Sequence, residues 1–445
     1  MSSRAANETQ GDLQIFGSRL RWARQLRRQL AKDVAAASHV SGATLARLEK
    51  ADSSFVDRTT AAALSMALHV PLAWLSEQPR AYSGVGSHFR ANSRMTKASQ
   101  EVVSTWQSLL AELLATIDRS VALLPTTLPV ISAPEVGPEQ AAATTRAALG
   151  FSPDQPIPHL MRSLEKAGVF VAVLDFDEEI HLRNHDASSA WFSLDTGRAL
   201  PVVLCRKHSS WERTRFSLAH EVGHLVLHRN GAGPQAEEEA TVFAAELILP
   251  ATTLRRKWPA RVTTMSLLPL KLEYGMSIAA LIQHGYRHGL LDDQRRTSLF
   301  KQLSNSKDPR TGQRWRVREP GADDRPVERP LLVANALEVG YGVPPALDQV
   351  FDHLPATIGG EWYGDLLLNF ACSWSRELAA KREYDRRQRH APTAEQGERG
   401  APAAPSPHVV PPSDTQPSSD GLAPVLALHA VSRRSQRPSD YRARG

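Results

Sequence analysis

One short motif constrains this chain more than anything else in it: His220-Glu221-Val222-Gly223-His224. The flanking residues predict that it lies on a helix. Ser209 and Glu212 have the Ser-x-x-Glu spacing of a capping box, and Asn230-Gly231 supplies a carboxyl-terminal stop. On a helix, His220 and His224 stand one turn apart on one face, so both imidazoles can reach a single zinc ion. Glu221 is offset by one residue. From there its carboxylate can serve the water of a catalytic zinc without competing as a ligand. Apolar flanks at Phe216, Leu218, Leu225 and Val226 can bury such a helix.

Two histidines do not complete a site. His228 continues the stripe, but at about 1.5 Å per residue it lies about 12 Å from His220 along the axis, too far to share one ion with both others. The following segment, Glu237 to Pro250, predicts a second helix, ended by its proline. The turn from Gly231 to Ala236 makes the two helices antiparallel neighbours, so an acid near the start of the second can return to the metal. Glu237, Glu238 and Glu239 all stand there. Two histidines, a glutamate and a water would leave the open position that a catalytic zinc needs.

The rest of the 445-residue chain is long enough for two or three domains. Its 42% hydrophobic and 22% charged content fits a globular protein. No apolar stretch reaches the roughly 18 residues of a membrane-spanning helix, and the first residues lack the apolar core of a secretory signal. With only Cys205 and Cys372, a disulfide framework is excluded, and a reducing cytoplasm is the expected location. Cys205 stands among Val202, Val203 and Leu204 and reads as a buried strand residue. The formal charge of +6 is compatible with nucleic acid as a partner without arguing for it.

The periodicity predicts an α+β, mostly helical chain with a small antiparallel sheet. Strands are expected at Val169 to Phe176, Ala190 to Leu194 and Ala199 to Cys205. The last two would form a hairpin through Asp195 to Arg198 and offer an edge to an extended substrate. Six segments follow from composition. They are an all-α unit at 12–77, a helical linker at 78–138, a unit holding the histidine motif at 139–263, a helical extension at 264–340, a partly helical stretch at 341–387, and a disordered Pro/Ser/Ala/Gly-rich tail at 388–445.

Within the first segment, Leu30 to Lys50 has the layout of a helix-turn-helix. Ser38-His39-Val40 makes the turn, His39 tolerates a positive φ, and Ser41 caps the second helix. Leu45 and Leu48 point inward. Lys32, Ser41, Gly42, Ala43, Thr44 and Arg47 then face the major groove of double-stranded DNA, although Gly42 and Ala43 have little reach towards base edges. Leu267 to Leu290 repeats this outline around Gly275-Met276-Ser277 and reads as a helix pair supporting the unit that holds the histidine motif. Arg213, Arg215 and Tyr274 have the chemistry to assist an oxyanion, but nothing in the sequence places them.

The stretch from Arg215 to His228, followed by Glu-x-x-Ala-x-x-Phe-Ala-Ala-Glu-Leu-Ile-Leu-Pro from Glu237, resembles the ImmA/IrrE family of metallopeptidases. The resemblance implies a zincin-like α+β fold, zinc bound by His220, His224 and Glu237, and Glu221 as the catalytic base. The triple glutamate leaves Glu238 and Glu239 open as replacements. Thr241 stands where the family often has Asn or Asp. Family members cleave or otherwise inactivate specific repressor proteins, so a repressor is the implied substrate. Residues 16 to 75 resemble an XRE-type helix-turn-helix domain, which implies DNA binding as a homodimer. His88-Phe89-Arg90 and Arg318-Glu319-Pro320-Gly321 fit regulators that fuse the two, and the likeness runs from about residue 12 to 340. The alternative is a DNA-binding regulator whose peptidase-like domain senses a ligand without proteolysis.

Overall fold

The computed structural model describes residues 12–83, 96–131, 136–174, 186–353 apart from 209, 230, 232 and 310, and 361–370, with isolated positions beyond. The expected tail at 388–445, Cys372 and His88-Phe89-Arg90 lie outside the described residues.

The chain opens with strand β1 (Asp12–Phe16) and helices α1 (Gly17–Leu26), α2 (Ala31–Ala37) and α3 (Gly42–Lys50). Strand β2 (Ser53–Asp57), α4 (Arg58–Ala67) and α5 (Leu72–Ser76) follow. The all-helical expectation for this segment therefore needs correcting. β1 and β2 pair antiparallel, with Ile15 opposite Ser54. Each strand has only five residues, too few for alternation to stand out against the helices around it. Between α2 and α3 the chain turns through His39 at φ 57°. Ser41 then caps α3, its hydroxyl accepting from the Thr44 amide at 3.0 Å.

Strand β3 (Ala81–Ser83) leads to α6 (Lys97–Ser120), α7 (Pro138–Ala148), α8 (Leu160–Lys166) and three strands: β4 (Phe170–Leu174), β5 (Ala187–Leu194) and β6 (Ala199–Arg206). The sheet order is β3-β5-β6-β4. β5 and β6 form the expected antiparallel hairpin, but β4 runs parallel to β6, so the sheet is mixed. The reason is visible in β4 itself. FVAVL is apolar at every position, as suits a strand covered on both faces, where parallel pairing is common. β6 lies inside the sheet and offers no edge; on its outer side, β5 meets β3 only over Phe192–Leu194.

The two faces of this sheet feed two cores. Phe170, Ala172, Ala190, Phe192, Val202 and Leu204 look towards α6 and the amino-terminal helices. Val171, Trp191, Val203 and Cys205 look the other way, into the core that holds the histidine motif. Helix α6, expected as a linker, is instead a central support, with most of its length between Ser99 and Ile117 buried. Arg19 of α1 and Glu112 of α6 form an ion pair at 2.7 Å, fully buried, and Glu112 also accepts from the Ala81 amide at 3.0 Å.

The remaining helices are α9 (Trp211–Leu227), α10 (Ala236–Ile248), α11 (Ala251–Lys257), α12 (Leu268–Tyr274), α13 (Ile278–Arg287), α14 (Asp293–Asn305), α15 (Leu332–Tyr341), α16 (Leu347–His353) and α17 (Glu361–Leu368). The pair α12–α13 turns at Gly275, φ 81°, where an added Cβ would collide with the Arg215 side chain. Its Leu270, Tyr274, Ile278, Leu281 and Ile282 sit in the second core, as a supporting pair requires. Among the described residues no single helix is long and apolar enough to cross a membrane.

Candidate metal centre

Helix α9 starts one residue later than the capping box suggested. Ser210 is the cap, accepting from the Arg213 amide at 3.3 Å, and Ser209 lies outside the described residues. Glu212 does not reach back to the helix start, because the buried Lys271 ammonium takes its carboxylate at 2.7 Å. Two bonds hold α9 to the sheet. The Trp191 indole N–H donates to the Leu225 carbonyl at 3.0 Å, and the Ser189 hydroxyl lies 3.1 Å from the Glu221 carbonyl.

Helix α10 crosses α9 at Gly223. A Cβ there would meet Phe243 Cδ1 at 3.0 Å and Ala240 Cα at 3.1 Å. The glycine inside the histidine motif and the alanine facing it thus set how near the two helices come. That approach brings the first turn of α10 over the imidazoles.

Three ligand atoms converge there. His220 Nε2 and His224 Nε2 are 3.2 Å apart, and the Glu237 carboxylate lies 3.5 Å from the first and 3.6 Å from the second. Ligand atoms bound tetrahedrally at about 2.0–2.1 Å from one zinc stand about 3.3–3.4 Å apart. The observed triangle has nearly those edges. Two neutral nitrogens and one carboxylate also match the donor chemistry of a catalytic zinc. Burial disfavours a charge on His220, yet Glu237 and Glu221 together raise its pKa, so the pocket favours positive charge at this point. Glu237 is half exposed at 51%, which leaves the cluster open to solvent on one side.

The other two glutamates have different partners. Glu238 pairs with Arg287, and Glu239 lies 2.8 Å from His228 Nε2. Of the three acids, Glu237 is the one grouped with both motif histidines.

Glu221 is not one of these three groups, and its carboxylate is bonded to β5. It is 8% exposed, and its Oε2 accepts the Ser189 hydroxyl at 2.7 Å. Burial lifts its carboxyl above the usual range, with His220 and the Ser189 bond opposing. A carboxyl shifted upward in this way is suited to taking a proton near neutral pH.

The sequence did not point to Ser189, which lies in a different element from Glu221. Nor did it assign a role to Thr241, whose hydroxyl lies 3.4 Å from His220 Nδ1 while donating to the Glu237 carbonyl at 2.8 Å. His228, excluded as a ligand by distance, lies beneath His224 with the two Nδ1 atoms 3.0 Å apart.

The residues considered for an oxyanion are engaged elsewhere. Arg215 binds Glu328 at 2.5 Å and the Ile157 carbonyl at 2.7 Å. Arg213 pairs with Asp186 at 2.8 Å, and the Tyr274 hydroxyl donates to the Asp154 carbonyl at 3.0 Å. Cys205 is buried, and burial pushes its thiol pKa up, as for an inert strand residue.

In the first segment, Lys32, Ser41, Gly42, Ala43 and Arg47 are exposed and Thr44 is half-buried, while Leu45 and Leu48 are buried. A Cβ at Gly42 would meet nothing within 4 Å, so the start of α3 faces open space.

Residues 164–284 match the family model Peptidase_M78, described as the IrrE N-terminal-like domain. The matched span includes β4 to β6, the histidine motif on α9, all of α10 and most of α13. It suggests a metallopeptidase type of function and implies a metal, typically zinc. Comparison with curated proteins finds no match for the chain.

Proposed function

We propose that the chain is a transcriptional regulator that joins DNA binding through its first segment to zinc-dependent hydrolysis of a peptide bond, with a specific repressor protein as the substrate. The reading is carried by one observation: His220, His224 and Glu237 present three ligand atoms with edges of 3.2, 3.5 and 3.6 Å, beside a buried carboxylate that is not part of that set. A zinc ion held there supplies Lewis acidity, polarising the scissile carbonyl and making a water acidic enough to attack. Glu221 takes the proton of the attacking water and later passes it to the departing amine. Ser189 holds the Glu221 carboxylate against β5 while it does so. Glu237 lies on the open side, so a substrate segment approaches past it. On the outer side of β5, Ala187–Trp191 have no strand partner among the described residues, and an extended segment can pair there.

The DNA-binding half rests on the exposed Lys32, Ser41, Gly42, Ala43 and Arg47 around the capped start of α3. Placed at its operator, the chain would hold its peptidase near the repressor it cuts.

The test is cleavage of candidate repressors by the purified full chain beside Glu221→Gln. The variant is expected to keep its zinc and to cut about 10²–10⁴-fold more slowly. Equal product from both, at equal zinc content, overturns the hydrolase reading. Binding of operator DNA by such an inactive chain would favour a sensing role.

A further inference from the structure

We infer that His228 and Glu239 form a positioning relay that fixes the tautomer of His224, so that its Nε2 lone pair is turned to the zinc. The inference rests on the metal-site reading above and adds two residues to it. The distances are 2.8 Å from Glu239 Oε2 to His228 Nε2 and 3.0 Å from His228 Nδ1 to His224 Nδ1.

The argument is one of donors and acceptors. A carboxylate only accepts, so the proton between Glu239 and His228 sits on His228 Nε2. A neutral imidazole with a proton on Nε2 has an acceptor at Nδ1. That acceptor faces His224 Nδ1, which must then carry the hydrogen. His224 Nε2 is left with its lone pair, and it is this atom that stands 3.2 Å from His220 Nε2 and 3.6 Å from Glu237. Reverse any one proton and two donors or two acceptors face each other across 3.0 Å. With His228 neutral, the chain of groups is therefore self-consistent in one sense only, and it is the sense a metal needs.

Burial makes the relay exclusive. The His228 side chain is 3% exposed, so water does not compete for its nitrogens. Thr241 gives His220 the same help in a weaker form, its hydroxyl oxygen facing Nδ1 at 3.4 Å. Imidazoles that bind a metal through one nitrogen are generally held through the other by such a partner. Here that partner is a second histidine backed by a carboxylate, both supplied by the two helices that carry the ligands.

Two substitutions of nearly equal volume isolate the effect. His228→Asn keeps an acceptor at the δ position, and His228→Leu removes it. Zinc affinity of the full chain, measured by competition with a chelating dye, is expected to fall about 10–100-fold in His228→Leu. In His228→Asn it should stay within about threefold, the rescue that only an acceptor explains. Glu239→Ala should lie between them, and adding it to His228→Leu should cost no further affinity. Melting of the chelator-treated proteins is measured in parallel, since a purely structural role would lower stability and leave zinc affinity alone. Equal zinc affinity in the Asn and Leu variants overturns the relay while the metal site stands. If the wild-type chain takes up no stoichiometric zinc, or His224→Ala leaves uptake unchanged, the metal site and the relay fall together.

Discussion

The two ends of α10 carry the same three residue types in the same pattern, and they differ in how those residues are bonded. At its start Glu237 faces His220 and His224, spaced i, i+4 on α9. At its end Glu246 faces His284 and His288, spaced i, i+4 on α13. At the first end the measured edges are 3.2, 3.5 and 3.6 Å. At the second, His288 Nε2 touches Glu246 Oε1 at 2.8 Å, while His284 Nε2 stays 3.8 Å from it and touches the Leu249 carbonyl at 2.8 Å instead. These are direct hydrogen bonds, and they engage the nitrogens that a metal would need. Glu246 Oε2 is also committed, accepting from the Ala251 amide at 2.9 Å at the start of α11.

The outer nitrogens decide the matter. Thr241 and His228 stand ready to accept from the Nδ1 hydrogens of His220 and His224. His284 Nδ1 is buried with no partner among the described residues. Were a metal to take His284 Nε2, the ring hydrogen would move to Nδ1, creating an unpaired buried donor that costs about 1–3 kcal/mol. With Nε2–H given to Leu249, the orphan is an acceptor lone pair on a neutral ring. Burial, with His288, Arg287 and Arg255 adding to it, holds His284 down to about 4, in keeping with that neutral form. Ligand type and helical spacing are the same at both ends; the proposed metal site differs from the second cluster in what stands on the far side of each imidazole.

The largest expected effect tests that separation directly. Metal analysis of the full chain should find one zinc per chain. Glu237→Ala should lose it, and Glu246→Ala should keep it while losing about 3 kcal/mol of stability, because His288 and the Ala251 amide are left without their buried acceptor. Two zinc ions per wild-type chain, one of them lost in Glu246→Ala, would break the comparison.

The contrast also shows how far the sequence could be read. The helix with His220, Glu221 and His224 was legible because its chemistry is local: three residues on one turn, with a recognisable start and stop. Glu237 was legible once a short turn made α10 the neighbour of α9. The family resemblance singled it out and left Glu238 and Glu239 open; the structure engages those two with Arg287 and His228. Ser189 was out of reach, because only sheet packing brings β5 under Glu221. The same holds for the parallel pairing of β4 with β6, and for α6, whose apolar face suggested an amphipathic linker although most of its length is buried. The Glu246 cluster shows the converse. Its histidines are also spaced i, i+4, but nothing local marks them as partners of Glu246 at the end of α10.

A smaller effect probes the spacing that makes the first end different. Gly223→Val would put a branched side chain where Phe243 Cδ1 lies at 3.0 Å and Ala240 Cα at 3.1 Å from a single Cβ. The Ala240 contact is backbone, so relief requires α10 to move, and Glu237 moves with it. Thermal unfolding should report a loss of about 1–3 kcal/mol, together with weaker zinc binding. The Glu246 cluster should keep its hydrogen bonds, because it lies at the far end of the helix. Zinc affinity equal to wild type would mean that the helix contact does not set the ligand triangle.

The smallest effect belongs to the second end and is a dependence on pH. The folded chain holds His284 down to about 4, below the ordinary 6.5 of a histidine. Between those values the unfolded chain binds a proton at this ring that the folded chain refuses, so stability is full above pH 6.5 and falls as acid is added. Taken alone, that shift is worth about 3 kcal/mol. Glu246 opposes it. Burial raises its carboxyl, so above 4.5 the folded chain retains a proton there that the unfolded chain has released. The net fall is therefore smaller than the His284 contribution alone. His284→Gln keeps an N–H at the ε position for the Leu249 carbonyl and does not titrate. Chemical denaturation of both proteins between pH 7 and 4 should then give a shallower decline in the variant. Parallel declines would mean that His284 is not held neutral, and the argument that its ring has no nitrogen to spare for a metal would lose its support.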